Sequence, residues 1–200
     1  MKKQIRPVRD VLSSVKALLV SNPKAKAADV LQGVVQELYG ARGYFWIGIY
    51  LAGGDEMVRQ SFRGPVPCCD RFAVGVGNVG TAGQTGIAKV VPDVSIDPTY
   101  RVCFRETKSE IVQPIKIAKR VLGVIDVESD RLNAFSRQEA VLLGQVAKLL
   151  ARYLTTDKGK LLTRKAREQS QAHVEAEPHK RPQSERPALT RAAAGERSAR

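Results

Sequence analysis

Six side chains of this 200-residue chain have the types and spacing to do chemistry together: Cys68, Cys69, Cys103, Glu110, Asp126 and Glu128. A thiolate is a nucleophile and a redox centre. Carboxyls held close together repel as anions, which raises at least one pKa, so such a group can donate a proton or hold a cationic amine. Asp126 and Glu128 stand two apart in a segment that reads as a strand, so both point to one face. Glu110 opens the preceding strand of what reads as a hairpin. Thiols and carboxyls on a rigid sheet are the parts for thiol redox chemistry on a small polar substrate. Taken alone, a strand with two carboxylates on one face turns that face to water. A free cysteine taken alone is a small buried hydrophobe. These cysteines, however, sit in segments rich in Pro, Gly and polar residues, where loops expose them.

Three cysteines exclude a full disulfide framework. Cys68-Cys69 and Cys103 lack paired zinc spacing, and both histidines, His173 and His179, lie near the C-terminus, so neither a metal nor a cofactor is expected. Gly75-x-Gly77-x-x-Gly80 matches a dinucleotide fingerprint, but only a short segment follows before Gly86, too little for a Rossmann helix and its next strand. Those glycines read instead as a tight turn with close backbone approach. Trp46 and Tyr50 share a strand face with Gly48 between them, which leaves room above the glycine.

The elements that must hold these residues follow from periodicity. Val8, Val11, Leu12, Val15, Leu18 and Leu19 repeat at helical spacing, as do Ala27, Val30, Leu31, Val34, Val35 and Leu38. Pro23 separates the two helices, and Gly40 reads as the second one's C′ residue. Residues 44–51 are rich in β-formers, Gly53-Gly54 supplies a turn, and 56–62 return. Residues 71–74 and 89–91 read as short strands, and 110–117 and 121–128 as a hairpin. Ser136 and Glu139 have capping-box spacing before a helix that runs to Leu154. Strands clustered between terminal helices favour an α+β fold with a mainly antiparallel sheet.

The net charge of +13 divides into +5 from residue 155 onward (4 Lys and 7 Arg against 1 Asp and 5 Glu) and +8 before it. No aromatics interleave with the basic residues of that last stretch, so a solvated surface is expected rather than nucleic acid. Pro178, Pro182 and Pro187 in a polar context point to a disordered tail whose removal would leave the fold intact, with a helical extension through Leu161-Leu162 allowed. No apolar run reaches membrane length, and the N-terminus lacks the pattern of a signal peptide. A soluble cytoplasmic protein with reduced thiols is expected.

Several of these stretches together resemble one family. The run Trp46-Ile47-Gly48-Ile49-Tyr50, then Pro67-Cys68-Cys69, Gly75-x-Gly77-x-x-Gly80-Thr81-Ala82, Val91-Pro92-Asp93-Val94, Cys103, Ser109-Glu110-Ile111-Val112-x-Pro114 and Gly123-Val124-Ile125-Asp126-Val127-Glu128-Ser129 is similar to the free methionine-(R)-sulfoxide reductases, which are GAF-domain enzymes. The resemblance implies a GAF fold over 1–154 (N-terminal helices 8–39, sheet and loops 43–129, C-terminal helix 136–154) with helices packed on one face of the sheet; the basic tail over 155–200 has no counterpart in the family pattern. It allows a homodimer. It implies Cys103 as the nucleophile, with Trp46, Tyr50, Glu110, Asp126 and Glu128 around the substrate. Counting back from Cys103 places the resolving cysteine at Cys69, and counting forward from Trp46 places it at Cys68. The uninterrupted count through Gly80, Gly77 and Gly75 favours Cys69.

Two positions depart from the family pattern: Val79 stands where many members carry a third cysteine, and the closing Asp-x-Asp reads Asp126-x-Glu128. The implied reaction is reduction of free L-methionine (R)-S-oxide through a Cys103 sulfenic acid and an intramolecular disulfide, with a thioredoxin-like reductant and no membrane partner. The competing reading is a non-catalytic GAF module that binds a small ligand for sensing or signalling.

Overall fold

A computed structural model describes residues 5–20 and 25–176. Six strands, β1 (Trp46–Ala52), β2 (Glu56–Arg63), β3 (Arg71–Ala73), β4 (Lys89–Val91), β5 (Ser109–Ile117) and β6 (Arg120–Ser129), form one sheet. Their order is β3-β2-β1-β6-β5-β4. Every neighbouring pair is antiparallel. Five helices accompany it: α1 (Val8–Val20), α2 (Ala27–Arg42), α3 (Gly77–Thr85), α4 (Arg137–Leu154) and α5 (Asp157–Ala176). None of the described helices is long and apolar enough to cross a membrane.

Strand alternation sorts the core into two layers. Ile47, Ile49 and Leu51 of β1, with Ile111, Ile115, Ile125 and Val127, face α1, α2, α4 and α5 and make the larger core. Trp46, Tyr50, Val112 and Val124 point the other way, where Val79 and Ala82 of α3 cover them. The four longer helices thus take one face, as expected, and the nine-residue α3 takes part of the other. The second face is where the acidic residues of β5 and β6 emerge.

Two helix ends differ from expectation. α2 runs past Gly40 and stops at Gly43, whose φ of 68° and N–H to Tyr39 O make the left-handed cap. Ser136 caps α4 by accepting from the Glu139 N–H at 3.3 Å. The Glu139 side chain does not complete the box. It pairs instead with Arg42 and accepts from Tyr44, which ties α4 to α2.

The larger correction concerns the C-terminal segment. The extension allowed through Leu161-Leu162 is a full twenty-residue helix. Leu162, Ala166 and Ser170 recur every four residues and are buried, a narrow stripe of mostly small side chains. Gln60 donates to Gln169 at 2.9 Å, and Arg71 donates to the Gln169 carbonyl at 3.1 Å. Ser170 donates to Glu56 at 3.1 Å. The packed body therefore extends to Ala176, and the remainder of the expected tail, 177–200, lies outside the described residues. Truncation after Leu154 should destabilise the protein by about 2–4 kcal/mol, as loss of one buried Leu and its neighbours does. Calorimetry would show this as a fall of roughly 5–10 °C in Tm, and an unchanged midpoint would return α5 to the tail.

Candidate active site

Register brings the acidic residues together. On the second face of the sheet, Trp46 lies opposite Glu128, and Gly48 opposite Asp126. Glu110 lies opposite Glu128, and Val112 opposite Asp126. Glu110, Asp126 and Glu128 therefore share one patch. They are not turned to water: their exposures are 4%, 2% and 2%. The carboxylate-to-solvent reading of β6 fails because α3 and the segment between β4 and β5 roof this face.

Buried acids in such company resist ionisation. Burial raises Glu110 to about 7, although Asn78, Asp126 and Lys89 all pull it down. Burial and then the charge of Glu110 lift Glu128 to about 8, against hydrogen bonds from Thr107 and Tyr100. Asp126 is pushed well above the carboxylate range by burial, then by the charges of Glu110 and Glu128 and by its hydrogen bond with Glu110. Near neutrality Asp126 thus keeps its proton and shares it with Glu110. Its Oδ1 is buried with no hydrogen-bond partner among the described residues, and so is Nε1 of Trp46.

Four polar side chains without a place in the sequence motifs set this balance. Asn78, near the start of α3 and inside the glycine run, donates to Glu110 at 2.5 Å. Lys89 of β4 donates to Asn78 Oδ1 at 2.5 Å and pairs with Asp97 at 2.8 Å. Burial works to raise Asp97, but Lys89 and Thr99 overcome it and hold its pKa at about 2. Thr107 donates to Glu128, as Tyr100 does at 3.4 Å. A polar residue among the small ones at Asn78 was a visible signal. Lys89, Tyr100 and Thr107 carried none, because their contacts arise only from tertiary packing.

The glycines do what the turn reading requires. A Cβ on Gly80 would lie 2.1 Å from the Ala73 carbonyl oxygen, so α3 packs directly against β3 backbone. Gly48 is different. The room above it is taken by the indole of Trp46, which a Cβ would meet at 2.3 Å. Trp46 also stacks on Phe62 with centroids 6.2 Å apart and tilts against Phe104 at 5.8 Å. Tyr50 packs edge-on to Phe72 at 5.5 Å. The result is an aromatic wall beside the acids. Gly48→Ala should displace the indole and overpack the wall, costing about 1–3 kcal/mol in stability. A reversible melt that moves by less than about 0.5 kcal/mol would show that the ring is free to shift.

The thiols meet at the edge of this wall. Cys68 is exposed, and Cys69 and Cys103 are half-buried; all are free. Their three Sγ atoms lie within 4.8 Å of one another. The Cys103 thiol is pushed up strongly by burial, then by its hydrogen bond with Cys69 and by the charges of Cys69, Glu128 and Asp126. Cys68 instead aims its Sγ at the Cys103 carbonyl, 3.5 Å away. Phe104, packed on Trp46, fixes the loop beside Cys103. All eight residues singled out in the sequence are thus gathered on one side of the sheet. A cation entering here would offset only the smaller part of the penalty on a Cys103 thiolate, the part that comes from Glu128 and Asp126, and would leave the larger part set by burial and Cys69.

The same architecture recurs elsewhere. The model of the GAF domain family matches residues 27–154, leaving α1 and α5 outside it. The chain is 35% identical over 144 residues to GAF domain-containing protein A of Dictyostelium discoideum, covering 70% of this chain and 88% of that one. It is 31% identical over 111 residues to the free methionine-R-sulfoxide reductase of Escherichia coli (strain K12), covering 56% and 67% respectively. The X-ray structure of free methionine-R-sulfoxide reductase from Neisseria meningitidis in complex with its substrate superimposes with a TM-score of 0.68 at 31% identity, covering 82% of this chain and 91% of that one.

Proposed function

The chain belongs to the GAF domain family and, within it, to the free methionine-R-sulfoxide reductases, and from that membership we propose that it reduces free L-methionine (R)-S-oxide with Cys103 as nucleophile. The observation that carries the reading is the meeting of three free thiols with three buried carboxyls on one sheet face. A surface acid patch or a set of core thiols would have no reason to converge.

The substrate ammonium enters the carboxyl patch, where Glu110 ionises to meet it. The aromatic wall packs on the sulfur and its methyl group. Two buried polar atoms of this patch without a hydrogen-bond partner among the described residues, Trp46 Nε1 and Asp126 Oδ1, are a donor and an acceptor that a zwitterionic amino acid can satisfy. Selection of the free amino acid over a methionine within a protein follows, since only the former brings the ammonium. Cys103 thiolate attacks the substrate sulfur while Glu128 or Asp126 protonates the sulfoxide oxygen. The hydroxyl then passes from the substrate sulfur to the Cys103 sulfur as the S–S bond between them breaks; that bond's electron pair leaves with methionine, whose sulfur is reduced by two electrons, and Cys103 is left oxidised as a sulfenic acid. The Cys69 thiol displaces that hydroxyl as water and closes a Cys69–Cys103 disulfide. An external dithiol of thioredoxin type restores both thiols by exchange.

Incubation of the reduced protein with each epimer of free methionine sulfoxide and dithiothreitol, followed by chromatographic quantitation of methionine, tests this directly. Consumption of the R epimer with the S epimer spared is expected. Equal rates with and without protein would favour the non-catalytic module that binds a small ligand.

A further inference from the structure

Along the chain the cysteines have no zinc spacing, but the fold brings all three together in space. Cys68 and Cys69 Sγ are 3.3 Å apart, and both lie within 4.8 Å of Cys103 Sγ. Zinc–sulfur bonds of about 2.3 Å at the tetrahedral angle hold two sulfurs about 3.8 Å apart. The cluster is therefore at liganding separation, with adjustments of about half an ångström per thiol.

We propose that Cys68, Cys69 and Cys103 together bind a zinc ion through their three sulfurs, with the fourth position open to water or a small ligand, and that the occupied state holds the reductase off. The binding claim stands on the thiol geometry alone; the inhibitory consequence rests on Cys103 being the nucleophile. Thiolate donors select a thiophilic ion over magnesium or calcium, and an open fourth position suits zinc. Each ligand gives up one proton to solvent as the metal enters. Three thiolates on a dication leave one negative charge, and the Arg59 guanidinium, donating to the Cys69 carbonyl at 3.4 Å, stands beside it. Cys68, the exposed member, provides the route in. None of the three is tied up in a disulfide, so the site exists only in the reduced protein. Oxidation to the Cys69–Cys103 disulfide removes two ligands and expels the ion, which links zinc occupancy to the same redox state that catalysis uses.

The test uses tag-free full-length chain reduced with a phosphine, titrated with zinc against a chromophoric chelator, and separately with Co(II) as a spectroscopic substitute. One metal per chain is expected, with Kd at or below ~1 µM and a sulfur-to-cobalt charge-transfer band. Cys68→Ser, an exposed and structurally mild change, should weaken binding at least ~10-fold and diminish the band. Unchanged affinity in Cys68→Ser, affinity that follows His173 and His179 instead, or a wild-type Kd above ~100 µM would overturn the site. Turnover measured in parallel separates the two readings. A chain that binds zinc through the thiols but never reduces sulfoxide sinks the reductase reading and leaves the metal site standing. A reductase indifferent to stoichiometric zinc, with no thiolate band, does the reverse.

Discussion

Asp126→Asn will lower kcat/KM for free L-methionine (R)-S-oxide by at least ~10²-fold, the usual contribution of a general acid, while raising the melting temperature. The carboxamide keeps the size but removes the proton that Asp126 holds beside Glu110 and can pass to the sulfoxide oxygen. The opposite sign on stability follows from linkage. Burial raises the folded pKa of Glu110 to about 7 and of Glu128 to about 8, above an unfolded value of about 4.3. Asp126 moves in the same direction. Groups shifted upward contribute stability that is complete below their unfolded pKa and is lost as pH rises through the folded one. Wild type should therefore lose stability between about pH 5 and 8, and Asp126→Asn should lose less. At pH 8 the variant should melt above wild type, and a midpoint at or below the wild-type one would show that the buried carboxyl costs no stability there. The wild-type kcat/KM should rise through about 7 as Glu110 ionises and fall through about 8 as Glu128 gives up its proton, the two limbs belonging to the coupled cluster. A variant with wild-type turnover would remove Asp126 from the site, whatever its stability.

Cys69→Ser will convert a cycling enzyme into one that stops after a single turnover. One methionine forms per chain, and a sulfenic acid then accumulates on Cys103, where a 1,3-dione probe labels it. A disulfide needs Cβ atoms about 3.5–4.5 Å apart, so neighbouring residues are not interchangeable partners. The Cys69 thiol hydrogen-bonds that of Cys103, whereas Cys68 reaches the Cys103 backbone carbonyl. Val79, the departure from the family pattern noted in the sequence, is buried against the aromatic wall and carries no thiol, so it offers no substitute. Cys68→Ser should cycle at the wild-type rate in metal-free buffer. The reverse pattern, or a peptide map of the oxidised protein joining Cys68 to Cys103, would move the resolving role by one residue. Continued cycling of both variants would mean that the external dithiol reduces Cys103 unaided.

The strands were legible because β-formers and turn residues alternate cleanly, and the two-residue spacing of Asp126 and Glu128 is enough by itself to put both acids on one face. Their burial was not legible. Whether an acidic sheet face meets water depends on what roofs it, and the roof comes from α3 and the 92–108 segment, distant in sequence. The same holds for Lys89, Tyr100 and Thr107, whose partners lie 11, 28 and 21 residues away. Helix α5 escaped for a different reason. Its buried stripe of Leu162, Ala166 and Ser170 is one residue wide and mostly small, so the polar remainder of the segment dominates any window average. Gly40 misled because glycine is tolerated within a helix, and the left-handed cap falls three residues later at Gly43.

Trp46 is the chain's single tryptophan, and its ring lies folded over Gly48, opposite Asp126. The tryptophan emission of the protein, excited selectively beyond the absorption of its five tyrosines, is therefore a signal from one place. Its emission maximum reports the polarity of the aromatic wall, and its quantum yield responds to the ionisation of the neighbouring carboxyls and to sulfur oxidation at the edge of the wall. Ligand titrations, stopped-flow traces of disulfide closure and pH titrations of the acids can all be read from that indole, without a label and without interference from any other tryptophan.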